Sequence, residues 1–229
     1  MSIGREDPAL ESPPANARGW PDLLAELLHG MAHTLNNRAA TVRAVHALLG
    51  VDGGAAGPAH QLLEQEAAQL EHVVALLRLA GARPGARTQP FLPADLLRDA
   101  ASLYRQHDLL RDVPLSLKPA AREAALAHPE PLLHALLVLL DAAGRYAARH
   151  GGSLEAAALD AGGAVELVVC VPVTAPAEEA ESAALAAAGP LASAAGATVH
   201  ARRTERELQL VLAVPTLRAA RAAEAASSP

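Results

Sequence analysis

The chain has 229 residues, a net charge of −6 at neutral pH and a 51 % hydrophobic share, which suits one large or two small folded domains and excludes general disorder. Aromatic residues make up 2 % and no long lysine or arginine run occurs, so the stacking groups and positive surface of a nucleic-acid binder are missing, and a core of Leu, Val and Ala favours helices. No run of about 18 uncharged apolar residues and no N-terminal apolar signal segment is present, so a soluble cytoplasmic protein without membrane partners is expected.

Residues 1–18, acidic and rich in proline, read as a flexible tail. "WPDLLAELL" then opens a helix, with Pro21 in the permissive first turn. Its apolar positions Leu24, Leu28, Met31, Leu35, Val42, Val45 and Leu49 alternate in spacings of four and three, broken once at Arg38. Glycines in "GVDGGAAGP" end that helix, and a second repeats the spacing through Leu63, Ala67, Leu70, Val74 and Leu77. Residues 19–83 therefore predict a helical hairpin. Two helices alone cannot hide two apolar seams, so a homodimeric four-helix bundle is the economical arrangement.

A Gly/Pro/Arg linker covers 84–90, and from Phe91 to 217 helices alternate with short strands. We read a helix at about 93–107, a strand in "VPLSLKP" and a helix in "EPLLHALLVLLDAAGRYAARH". Strands "SLEAAALD" and "VELVVCVPV" follow around the turn "AGGA", then a helix at about 178–195 and strands "ATVHARRT" and "ELQLVLAVP". The pattern predicts an α/β sandwich of one mixed sheet against helices, giving an α+β chain overall. Residues 218–229 read as a frayed, flexible helical tail, and the single Cys170 as a reduced core thiol.

One face of the first helix carries the chemistry. At about 100° per residue, Met31 and Leu35 lie about 160° from His33, which therefore points to solvent, while Glu26, His29, Asn36, Asn37 and Ala40 share its face and Arg43 sits slightly further round. Such a stripe is ordinarily only solvated surface. Metal binding by His29 and His33, four residues apart, lacks a third ligand and is set aside. His46, His72, His107, His128 and His134 read as surface or helix-end residues, and Arg145 and Tyr146 as surface and packing positions.

"AHTLNNRAATVRAVHALL" resembles the phospho-acceptor motif of sensor histidine kinases, close to H-E-x-x-N/T-P-L, with His33 in the place of the phosphorylated histidine, Leu35 in that of the apolar residue and Asn37 in that of the Asn/Thr. The hairpin resembles their dimerisation and phosphotransfer domain, and residues 91–217 their Bergerat-like ATP-binding sandwich. A neutral imidazole is a good nucleophile and its phosphoramidate a reactive donor. The departures concern ATP. Thr34 replaces the usual acid, and Arg38 the proline. Asp141 stands where a Mg²⁺-binding asparagine is usual. "VPVTAPAEEAES" replaces D-x-G-x-G, with Pro172 at the adenine-reading Asp and Thr174 at a glycine, and no glycine-rich lid follows.

The resemblance with these losses implies a degenerate nucleotide pocket, no ATP and no cofactor of its own. It implies a dimeric histidine phosphotransferase that relays phosphate between receiver-domain aspartates of response regulators, the receiver bringing its own Mg²⁺. A receiver is expected to contact His29, Asn36, Arg38 and Arg43 around His33, with Asn37 supporting the histidine. The alternatives are an inactive kinase-like protein that docks a response regulator or kinase, and an atypical active sensor kinase.

Overall fold

The computed structural model describes residues 19–51, 56–81 and 88–227; the expected tail at 1–18, the centre of the 50–58 turn and most of the 84–90 linker lie outside the described residues. Helices α1 (Trp20–Val51) and α2 (Ala56–Ala80) pack side by side as a hairpin. The second part contains β1 (Gln89–Phe91), α3 (Pro93–Tyr104), β2 (Leu115–Pro119), β3 (Ala125–Ala127), α4 (Pro129–His150), β4 (Leu154–Ala161), β5 (Ala164–Pro172), α5 (Glu178–Ala195), β6 (Thr198–Arg203) and β7 (Glu207–Pro215). A final helix, α6 (Leu217–Ser227), occupies the stretch expected to fray, and Thr216 Oγ1 caps it by accepting the Ala219 amide at 3.1 Å.

Five strands form one mixed sheet in the order β2-β4-β5-β7-β6, with β2 parallel to β4 and every other pair antiparallel. The alternation in the sequence decides its faces. Val165, Leu167, Val169 and Val171 of β5 lie in register with Val214, Leu212, Leu210 and Leu208 of β7 and point into the main core. The opposite face carries a small separate cluster of Val168, Cys170 and Val211. There burial first, and then the Glu207 charge, push the Cys170 thiol up to about 12, so it stays protonated and inert. The turn "AGGA" joins β4 to β5 through Gly162 (φ 55°) and Gly163 (φ 101°), left-handed conformations that match the twist of a two-residue hairpin. The small pair β1 and β3, antiparallel, was not expected, because three residues carry too short a pattern to read.

Helix α4 is buried almost all round, as a helix of "PLLHALLVLLDAAG" must be, and lies between the sheet, α3, α5 and the hairpin. Helix α5 lays Ala184, Ala188, Ala192 and Ala195 inward, small side chains that let it approach α4 closely. The two parts of the chain share one core. Leu23, Leu27 and Met31 of α1 and Val73, Leu76 and Ala80 of α2 belong to the same buried cluster as α3, α4 and the inner sheet face.

This corrects the expected single seam. In "LLAELL" the columns Leu23/Leu27 and Leu24/Leu28 are adjacent, and the structure turns the first into the core and leaves Leu28 42 % exposed. On α2, Ala67 is exposed and Val74 is 41 % exposed. Arg38, the break in the heptad, reaches across the hairpin to Glu66 at 2.9 Å; Glu66 is only 5 % exposed, so the break is a cross-helix ion pair.

Candidate functional site

The solvent face of α1 displays His33, Asn36, Asn37 and Arg43, all exposed. The Asn37 amide and His33 Nε2 are 3.2 Å apart, one helical turn separating them, so the amide donates to that nitrogen and the ring proton sits on Nδ1. The two residues expected to act together are adjacent in space. His29, also exposed, lies 3.8 Å from Asp108 of the loop that follows α3. Arg38 was expected on a partner surface, but its guanidinium is committed to Glu66.

The same helix docks on the α/β part along a stripe spaced by four. Glu26, Gly30 and Thr34 face the 105–113 loop. The Gly30 Cα comes so near that an added Cβ would lie 1.8 Å from the Gln106 carbonyl oxygen, and the Thr34 hydroxyl donates toward Gly30 O (3.1 Å) and Gln106 Oε1 (3.2 Å). Thr34 therefore turns from His33 to the α/β part.

Behind this stripe lies a network of four charged or titratable groups. His107, 1 % exposed, accepts the Leu109 amide at Nδ1 (3.2 Å), which leaves its proton on Nε2 for Glu26 Oε2 at 2.7 Å. Arg145 donates Nε to both Asp141 oxygens at 2.9 and 3.0 Å and Nη2 to Glu26. Burial opposes the Arg145 charge, but the Asp141 and Glu26 carboxylates more than offset it and hold its pKa above the ordinary value. Ligand atoms of Glu26, His107 and Asp141 lie within 4.8 Å of one another, close enough for a metal. The guanidinium already bridges the two carboxylates and supplies the positive charge a metal would bring.

These contacts overturn several sequence expectations. Asp141 does not face a nucleotide cleft; it is buried toward α1 under Arg145. Arg145 is not a surface residue, His107 and His134 are buried, and Glu26 leaves the solvent stripe for the junction. No local pattern could have revealed this, since a helical wheel tells which residues share a face and not what lies against it.

A cleft of about 280 Å³ lies between the end of α4 and the start of α5, lined by Ala142, Tyr146, Arg149, His150, Pro176 and Glu179 among others; Asp141, Pro172 and Thr174, the residues expected at a nucleotide pocket, do not line it. Small-molecule sites are commonly about 300–1,000 Å³. Pro172 ends β5, and the Tyr146 hydroxyl pins the loop beyond it, donating to Ala175 O (2.6 Å) and accepting the Thr174 and Ala175 amides (3.2 and 2.9 Å). Tyr146→Phe is expected to cost about 1–3 kcal/mol by leaving these groups unpaired, measured by urea unfolding, and to speed amide exchange at Thr174 and Ala175.

A second clamp sits at the open end of the hairpin. Trp20 stacks on His134 with centroids 3.8 Å apart and planes at 14°. Burial holds the His134 pKa below its ordinary 6.5, against the pull of Leu79 and Glu130. Below about pH 6.5 the unfolded chain therefore binds a proton the folded chain resists, so this histidine's contribution to stability is present above that pH and falls as pH drops toward the folded value. Urea unfolding at about pH 7 and about pH 5.5 should show a smaller acid loss for His134→Phe than for wild type.

The fold and site together define a helical hairpin that exposes a histidine with an asparagine on its ring, bound through a charged junction to an α/β sandwich. No protein-family model matches the chain, and no curated protein matches it in sequence. Among solved structures, an Acinetobacter baumannii histidine kinase, AdeS, is similar at 14 % identity, covering 81 % of this chain and 98 % of that one, with a TM-score of 0.45. A bacterial phosphotransferase aligns at 20 % identity over 88 % of this chain and 100 % of its own, TM-score 0.46. A histidine kinase from Burkholderia phymatum aligns at 14 % identity over 86 % and 97 %, TM-score 0.43. No helix of the described residues is long and apolar enough to cross a membrane.

Proposed function

We propose that the chain is a histidine phosphotransferase of a two-component relay, moving a phosphoryl group between receiver-domain aspartates through His33 without ATP. The observation that carries this reading is the exposed His33 imidazole on α1 with Asn37 on its ring. Transfer requires a nucleophile open to a large partner, and a buried ring would forbid it.

The chemistry is a displacement at phosphorus. A ring-nitrogen lone pair of His33 attacks the aspartyl phosphate, the P–O bond to the carboxylate breaks, and the carboxylate leaves with that electron pair as a phosphoramidate forms. The imidazolium so produced sheds its remaining N–H proton to solvent, and the reverse sequence loads the next aspartate. Nε2, the nitrogen Asn37 holds, carries the free lone pair, so Asn37 fixes the tautomer that makes Nε2 the nucleophile and releases it as the phosphoryl group arrives. Mg²⁺ arrives with the receiver. His29, Asn36 and Arg43 flank the acceptor on the docking face, and Arg38 acts there through the hairpin it ties together.

Two features support independence from ATP. Asp141 is held by Arg145, and the loop after Pro172, where the nucleotide motif would lie, is pinned by the Tyr146 hydroxyl. A second copy of the chain covers the outward stripe that includes Leu28 and Val74, completing a bundle in this reading. The test is incubation with an aspartyl-phosphorylated receiver domain: acid-labile label must pass to this chain, whereas incubation with labelled ATP alone must leave it unlabelled. A receiver that binds but transfers nothing would convert the reading to a docking protein.

A further inference from the structure

Glu26, Gly30 and Thr34 run along α1 at intervals of four and end beside the phospho-acceptor position. Each meets the α/β part: Glu26 joins His107 and Arg145, Gly30 abuts the Gln106 backbone, and Thr34 meets the Gln106 side chain. Apolar contact through Leu27 and Met31 would tolerate sliding between the two parts, since hydrophobic burial has no direction. A planar guanidinium whose Nε–H is shared by the two oxygens of one carboxylate while Nη2 reaches a second carboxylate has one geometry, and so does a glycine seated against a carbonyl.

We propose that this junction is a positioning device: it binds hairpin and α/β sandwich into one rigid body and sets the orientation of the α1 turn that carries His33. Arg145, acting through Glu26, and Gln106, acting through Thr34, are its positioning residues. The α/β part then serves as a fixed support for the histidine, and the phosphoryl donor comes from outside the chain. The statement about His33 rests on the transfer role proposed above; the statement about rigidity does not.

The experiment uses the full chain. Backbone ¹⁵N relaxation of wild type should give one rotational correlation time for hairpin and α/β amides, and Arg145→Met should give two. Should that variant not fold, Arg145→Lys, which keeps the charge and loses the planar bridge between Asp141 and Glu26, is measured in the same way. Gln106→Ala should retain one correlation time but lower kcat for transfer from a phosphorylated receiver by about 10-fold or more, with KM unchanged. Gln106→Glu, which restores an acceptor for the Thr34 hydroxyl, should recover most of it. Labelling of His33 by phosphoramidate, a donor too small to need an aligned surface, should be the same in all variants. Independent tumbling in wild type, or a single correlation time in both Arg145 variants, overturns the rigid junction; an unaltered kcat in Gln106→Ala overturns the positioning role. Failure of phosphoramidate to label wild-type His33 would instead sink the transfer reading and leave the relaxation result standing.

Discussion

His33→Ala is expected to abolish acid-labile phosphoryl label on the chain while leaving its melting temperature within the scatter of wild type. The two halves of that result have separate causes. The imidazole is exposed and lies outside the hydrophobic core, and its hydrogen bond to Asn37 is a surface contact, so truncation should change stability by less than about 0.5 kcal/mol. Transfer has no substitute nucleophile on this face. Asn36 and Asn37 are amides, and His29, though exposed, stands one turn away beside Asp108. Label is followed by acid lability after incubation with a phosphorylated receiver. Undiminished acid-labile label on His33→Ala would mean that another histidine is the acceptor, and the reading of this face would be wrong.

Gly30→Ala is expected to produce the largest structural effect of any glycine-to-alanine change among the described residues. A helix-interior glycine replaced by alanine ordinarily gains about 1 kcal/mol from the restricted unfolded backbone. Here the new Cβ would lie 1.8 Å from Gln106 O and 3.0 Å from Gln106 C, both backbone atoms that no rotamer change can move aside. Helix and loop must separate, which strains the Thr34–Gln106 contact and pulls Glu26 from His107 and Arg145. Overpacking and a disturbed charge network together should cost roughly 2–4 kcal/mol net. At about 2–4 °C of Tm per kcal/mol for a chain of this size, thermal unfolding resolves the loss easily. Gly189 of α5 is the control, because apart from its chain neighbours a Cβ there meets nothing within 4 Å; Pro190 follows it, so the usual gain of alanine in a helix is offset and the replacement should be near neutral. Equal Tm shifts at the two positions would contradict the close approach at Gly30.

Much of the architecture was readable before any coordinates. The strand at Glu207–Pro215 and the helix at Glu178–Ala195 fall where alternation and alanine content put them, because each signal is local and repeats several times within its element. The exposure of His33 followed from the same arithmetic: a residue about 160° from Met31 and Leu35 cannot share their burial. The short strands β1 and β3 were missed, and the ordering of the last helix as well, since three residues carry little pattern and the Thr216 cap is one hydrogen bond.

What could not be read is everything that depends on which faces meet. Glu26 and Arg145 are 119 residues apart and Glu26 and His107 are 81 apart, and none of the three carries a local mark of its partner. Glu26 looked like solvated surface, Asp141 like the remnant of a cation site, and Arg38 like a defect in a heptad. The amphipathic period announced that α1 has an apolar side and an open histidine, because that is a property of one helix and its solvent. Which polar residues at the edge of that side would be buried was settled by packing α1 on the loop after α3 and on α4, where desolvation makes an unpaired charge costly and selects the one arrangement that pairs them all.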